Sequence, residues 1–177
     1  MTSSLTDLAP GSWVLDPAGS AVRFRHSAMW GLATVKGEFA RIEGHGELPA
    51  GGGPAHGRIA IDAASLDTRN ARRDTHLRSA DFFDVQAHPQ LVFDAQSVTA
   101  SGADTAAIKG TLTVRGTTKP LSFTAHATEA TADAVTLAAE VKVDRADFGL
   151  TWNKAGVIKG PATISISARF TRRLHPS

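Results

Sequence analysis

The sequence contains no cysteine, which excludes disulfides, thiolate catalysis and Cys-ligated zinc or iron–sulfur centres. It has no apolar run near the roughly 18 residues that a transmembrane helix needs. It also lacks a charge imbalance, with nineteen Lys and Arg against seventeen Asp and Glu and a formal net charge of +2. That balance is too even to mark a nucleic-acid protein, although the sequence pI is about 9.3. No nucleic-acid partner is expected. The opening residues, MTSSLTDLAPGS, carry neither the basic nor the apolar region of a secretory signal, so a soluble cytoplasmic protein is expected. Several motifs are missing as well: GxSxG, GxxxxGK[ST], GxGxxG after a strand, HxH and HExxH. No catalytic residue, metal ligand or cofactor is therefore assigned.

What the sequence does have is a period of two. Hydrophobic residues make up 42% and charged residues 20% of 177 positions, ordinary values for one globular domain with a real core. In 20–27, Val22, Phe24 and His26 alternate with Arg23, Arg25 and Ser27. In 107–115, Ile108, Gly110, Leu112 and Val114 alternate with Lys109, Thr111, Thr113 and Arg115. The same alternation sets Leu121, Phe123, Ala125 and Ala127 against Ser122, Thr124, His126 and Thr128. It recurs in 135–144 and 163–171. Strands with one apolar and one polar face are the antiparallel pattern, since parallel strands beneath helices read as continuous apolar runs.

Further strands are expected near 12–16, 33–48, 57–63 and 91–98. Within 33–48 the phase changes: Val35, Gly37 and Phe39 are odd, whereas Ile42, Gly44, Gly46 and Leu48 are even. A one-residue slip would turn the apolar face outward, so a bulge or sharp bend is expected at Ala40–Arg41. About eight strands, several of them long, are best closed into a barrel, which removes exposed edges. One helical insert interrupts them over 69–84, with Asp67 or Thr68 capping a helix at about 69–78 and Ser79 starting a turn that carries Phe82 and Phe83. Leu77, Phe82 and Phe83 would plug the barrel end. Residues 1–11 and 172–177 read as loose tails around one domain over 12–171.

The inward faces mix Phe24, Phe39, Phe93 and Phe123 with many small residues, among them Gly37, Gly44, Gly110, Ala125, Ala127, Ala139 and Ala168. A barrel of about eight strands is wide enough to be filled by side chains or to hold one small ligand. Small inward residues leave volume for an apolar guest, or larger neighbours fill the gap; the pattern fits both. The seven histidines are scattered, and His26 is the one on an apolar face. Glu38, Glu47 and Glu140 fall on the polar faces, as solvated carboxylates do. Arg69, Arg72, Arg73 and His76 group on one side of the helix, as a solvated face or a surface for an anionic head group.

These residues resemble the YceI-like, or polyisoprenoid-binding, family. Its opening pattern is matched by Trp13, Asp16, Ser20, Val22, Phe24, His26, Gly37 and Phe39. Its most distinctive block is similar to RRDTHLRSADFFDVQAHPQLVF at 72–93. IKGTLTVRGTTKPLSF at 108–123 and DRADFGL at 144–150 resemble its later blocks. The resemblance implies an all-β, antiparallel, lipocalin-like barrel that holds a long isoprenoid chain, without catalysis and often as a homodimer. With the inward phases, the expected ligand-lining set is Phe24, His26, Met29, Trp30, Phe39, Leu77, Phe83, Phe93, Leu112, Phe123, Phe148 and Trp152. Transient membrane contact would follow from such a ligand. The rivals are an enzyme acting on such a lipid, which needs polar groups converging in the cavity, and a ligand-free structural module, which needs a filled interior.

Overall fold

The computed structural model describes residues 4–28, 33–148 and 162–173, and among them lie eleven strands and one α-helix. In chain order the strands are β1 (Gly11–Leu15), β2 (Ala21–Ala28), β3 (Ala33–Phe39), β4 (Ile42–Leu48), β5 (Ala55–Asp62) and β6 (Leu66–Asp67). After helix α1 (Ala71–Arg78) come β7 (Gln90–Ala100), β8 (Thr105–Val114), β9 (Thr117–Ala130), β10 (Ala134–Val143) and β11 (Ala162–Arg172). Pairing runs β1-β4-β5-β7-β8-β9-β10-β11 and returns from β11 to β1, so eight antiparallel strands close a ring. The expected barrel is therefore present.

Two of the ring's walls are bent strands in two pieces. The first half of β11 pairs with β2 (Thr163↔Arg25 to Ser167↔Ala21), and its second half pairs with β1 (Leu15↔Phe170 to Trp13↔Arg172). Residues 16–20 form the kink between them, a 3-10 turn capped by Asp16, whose carboxylate accepts from Ala18 N at 3.1 Å. The partner strand bends in step: β3 pairs with β2 and β4 with β1, and the break falls at Ala40–Arg41, where the sequence changes phase. Phe39 and Ile42 thereby both face inward, at 8% and 9% exposure.

The inward faces alternate as the sequence requires. Leu121, Phe123, Ala125 and Ala127 on β9 are buried or half-buried, while Ser122, Thr124, His126 and Thr128 are exposed. Two bulges were not legible in the pattern, between Ala95 and Ser97 on β7 and at Thr128 on β9, opposite Thr136 and Leu137 of β10.

The helix starts two residues later than expected, and its cap is Asn70, which accepts from Arg73 N at 3.0 Å. Thr68 and Asp67 are otherwise engaged. Asp67 accepts from Arg69 N at 2.8 Å, in a turn where Arg69 has a φ of 63°. Thr68 is tied to Asp74. The N-terminal residues are likewise not a loose tail over 4–10. Ser4 and Asp7 form a capping box around a 3-10 turn, and the backbone is strapped by Leu5 N to Ala103 O at 2.9 Å and Ala9 N to Ala132 O at 3.0 Å. At the other terminus, Arg172 belongs to β11 and Arg173 N donates to Ser12 O at 2.8 Å.

Candidate functional site: the barrel interior

The two ends of the barrel are closed by different devices. At one end, which also receives the 3-10 turn at Arg145–Phe148, the segment 63–88 packs into the strand ends. One cluster joins Ile42, Ile61, Leu91 and Val114 from the wall to Leu66, Phe82 and Phe148, all at 9% exposure or less. Leu77, Phe83 and Val85 pack against it. Phe83 meets Phe39 edge-on with ring centroids 6.1 Å apart, and Phe39 meets Phe24 at 5.4 Å. This is the expected plug.

Polar bonds hold the plug in place. Asp74, 6% exposed, accepts from the backbone N–H of Thr68 at 3.0 Å and from its hydroxyl. Arg73 Nε donates to that hydroxyl at 2.8 Å, and Arg78 donates to Ala64 O at 3.0 Å and Leu66 O at 2.8 Å. His76 pairs with Asp81 at 2.9 Å and sits edge-on to Phe82 at 5.2 Å. The basic residues expected to share one side of the helix thus divide: Arg73 and His76 brace the insert, whereas Arg72 is exposed and Arg69, exposed too, precedes the helix. A surface cleft of about 480 Å³ runs beside them, lined by Arg41, Ser65, Asp67, Thr75 and Arg78. Its charged groups are already engaged, Arg41 with Asp62 at 2.7 Å and Arg78 with the two carbonyls.

At the opposite, hairpin-turn end the largest buried side chain among the described residues is an indole. Trp13, 5% exposed, shares the inward phase of Leu15, and its Nε1 donates to Ala9 O at 3.2 Å. Ala106, Ile108, Ala125, Ala130, Ala134 and Val135 are buried there too. None of these residues joins the cluster of the other end.

Between the two ends some inward side chains, such as Val22 and Ala168, are buried, and others are only half-buried. Ile59, Phe93, Phe123, Leu137, Ile164 and Ile166 face inward along their strands, yet solvent reaches each of them. A barrel filled to the density of a protein interior would bury such mid-strand positions. All six are hydrocarbon. Phe93 and Phe123 meet with centroids 5.5 Å apart. Together the six form an apolar inner lining, of which Ile59, Phe93, Ile164 and Ile166 also pack against the cluster of the helix end.

The glycines do not supply its volume in the way the sequence suggested. A Cβ on Gly37 would run into the Phe24 ring, with Cε1 at 2.7 Å, and one on Gly110 would run first into the Asp94 backbone oxygen of β7 and also meet Phe93 Cζ at 2.9 Å. The Phe24 ring lies over Gly37 and occupies that space, as an aromatic does when it covers a glycine across a strand pair. Gly44 likewise accommodates Leu15 and Ile59, each at 3.3 Å.

Of the expected ligand-lining residues, Phe24, Phe93 and Phe123 are half-buried on the inner wall, and His26 faces inward beside Val35. Phe39, Leu112 and Phe148 are buried in the plug cluster, with Leu77 and Phe83 against it. Met29, Trp30 and Trp152 lie outside the described residues. Sequence reasoning missed Trp13 as part of the interior, although its parity with Leu15 was a usable signal. Among the described residues, no three His, Asp or Glu side chains gather as a metal site, and no helix is long and apolar enough to cross a membrane.

On the outer wall, Arg169 on β11 bridges two carboxylates, Asp16 at 3.0 Å and Glu129 at 2.9 Å. The hydrogen bond from Arg169, helped by one from Thr136 at 2.9 Å, holds the Glu129 carboxyl below its usual range. The same contacts, Glu129 first and then Asp16, raise the Arg169 guanidinium.

A closed barrel with this insert and these blocks matches the YceI-like domain over residues 13–170. The chain belongs to the YceI-like domain family. A UPF0312 protein of Azotobacter vinelandii is 34% identical over 117 residues, covering 64% of this chain and 60% of that protein. One from Vibrio cholerae is 32% identical over 117 residues, covering 64% and 61%. One from Ectopseudomonas mendocina is 45% identical over 67 residues, covering 38% and 35%. The matched segment thus spans between 35% and 61% of these relatives' length. Among solved structures, Burkholderia cenocepacia BcnA has a TM-score of 0.78 at 17% identity, covering 88% of this chain and 98% of that one. A polyisoprenoid binding domain from Saccharophagus degradans has a TM-score of 0.72 at 16% identity, covering 90% and 98%. These likenesses establish that the YceI-like fold is shared.

Proposed function

We propose that this YceI-like barrel binds a long apolar chain of the isoprenoid type, a polyprenyl or quinone tail, and carries or stores it without chemical change. The observation that carries the reading is the half-buried ring of hydrocarbon side chains between two sealed ends. The Saccharophagus degradans domain of the same fold, described as polyisoprenoid binding, supports the ligand class.

The energetics fit. Burying one CH₂ is worth about 0.8 kcal/mol against water, so a five-carbon isoprene unit contributes roughly 4 kcal/mol before ordering costs. A few units suffice for tight binding without polar contacts, which suits a lining of phenylalanine, leucine and isoleucine. Against a bilayer, which is equally apolar, the same transfer gains little. Discrimination must then come from shape and length. Transient contact with a membrane, pairing of two copies and a cytoplasmic location belong to the same proposal; resemblance to the family supports the pairing.

Native mass spectrometry of the purified protein, followed by organic extraction, tests the reading. The expected result is a bound mass that extraction releases as a linear isoprenoid lipid. Protein purified without ligand that also takes up no polyprenol when one is supplied would refute it.

A further inference from the structure

The barrel interior has a floor, and one residue makes it. Trp13 is the largest side chain in the buried group at the turn end, where most of its companions are alanines: Ala106, Ala125, Ala130 and Ala134. Without the indole, only Ile108 and Val135 would stand among those alanines as larger side chains. The ring is held in one place, because its Nε1 donates to Ala9 O and the strap carrying Ala9 is tied to two hairpin turns, at Ala103 and Ala132. Beside the floor, Ala127 faces inward on β9 opposite Leu137 and remains half-buried. Ala127 is therefore a small side chain on the inner face near that end, with a bulky indole fixed in the same end of the barrel.

We propose that Trp13 is the length-determining residue of the barrel: the end of the apolar chain comes to rest on its indole. This rests on the proposed function, that a linear isoprenoid occupies the barrel interior. A chain too long for the space must fold back or leave units in water, at about 0.8 kcal/mol per exposed CH₂. A chain too short leaves a void whose lining loses its contacts. Length selection follows from a floor that does not move.

The test offers purified, lipid-stripped protein an equimolar series of all-trans polyprenols of increasing length, and reads the occupied lengths by native mass spectrometry. Trp13→Ala and Trp13→Leu remove most of the floor, whereas Ala127→Leu raises it. Trp13 variants should move the most occupied length up by about one isoprene unit or more, since removing a buried ring leaves a cavity. Ala127→Leu should move it down. If Trp13→Ala fails to fold, Trp13→Leu and Ala127→Leu decide. Unchanged length preference in variants that still bind overturns the inference while leaving the carrier reading intact. Wild-type protein that takes up none of the series overturns the carrier reading itself.

Discussion

The two ends of this barrel solve one problem with opposite materials. The helix end is closed by a segment of some two dozen residues, 63–88, that wedges Leu66, Phe82 and Phe83 among the strand ends. Buried polar bonds fasten it, centred on Asp74 and Thr68. The turn end is closed around one indole and a short backbone strap, with alanines, Ile108 and Val135 beside them. The first device is cooperative, because its aromatic contacts depend on a chain path that polar groups fix. The second is local. The insert is held by both apolar contacts and polar bonds, whereas the indole is tied at one atom, Nε1, and walled by strands.

The contrast breaks most visibly at Asp74. Asp74→Ala removes a buried charged acceptor and leaves the Thr68 N–H without its partner. Hydrogen bonds to a charged group are worth about 1.5–3 kcal/mol each, so a loss of about 3 kcal/mol is expected. Urea unfolding followed by tryptophan fluorescence and far-UV circular dichroism measures it. An unchanged midpoint would mean that the apolar wedge alone holds the insert, and that the polar bonds are incidental.

A smaller effect is expected at the other end. Deleting residues 1–9 removes the two strap bonds at Ala103 and Ala132 and the acceptor of the Trp13 indole. Net contributions of roughly 0.5–1.5 kcal/mol per hydrogen bond put the loss near 2 kcal/mol. The diagnostic readout is Trp13, isolated from the other two tryptophans in a Trp30→Phe, Trp152→Phe background. Its ring should become mobile, so quenching of tryptophan emission by acrylamide should rise while the strand signal in circular dichroism is retained. A loss equal to or above that of Asp74→Ala would reverse the ranking of the two ends.

How far these devices could be read from the sequence differs in the same way. The walls were legible: strict alternation in 119–129 put Leu121 and Phe123 inside, and the phase change at Ala40–Arg41 located the bend between β3 and β4. Both are consequences of the side-chain period of a strand, which is a local property. The plug was legible only in outline. Phe82 and Phe83 announced themselves, but the cap fell to Asn70, because Thr68 is drawn to Asp74 by a contact that exists only after the insert folds back. The strap could not be read at all, since its bonds join backbone groups and carry no residue preference. The volume argument from glycine failed for a related reason. Gly37 and Gly110 are vacant in the sequence, yet the Phe24 ring fills the first and the β7 backbone at Asp94, with Phe93, closes the second, and a one-dimensional pattern does not show which neighbour leans over which gap. Trp13 combines both cases: its face was readable, its role as a floor was not.

The smallest expected effect lies between the ends, on the outer wall, where Arg169 joins β11 to Glu129 on β9 and to Asp16 in the kink between β1 and β2. Its contacts lower the Glu129 pKa in the folded state, so the ionised form contributes stability above the unfolded value near 4.5. That contribution is lost as pH falls through the folded value below it. The raised Arg169 titration lies above any working pH and adds no pH dependence. Glu129→Gln keeps the shape and removes the charge. The variant should therefore be slightly less stable than the parent at pH 6–7, and the two should converge as the pH is lowered into the acid range. Each group is about one-third exposed, at 32% and 37%, so salt should shrink the neutral-pH difference. Thermal melts across pH at low and high salt measure this directly. Curves that stay parallel down to acid pH would show that the Arg169 bridge spans the wall without contributing to its stability, leaving the two ends as the sites that set it.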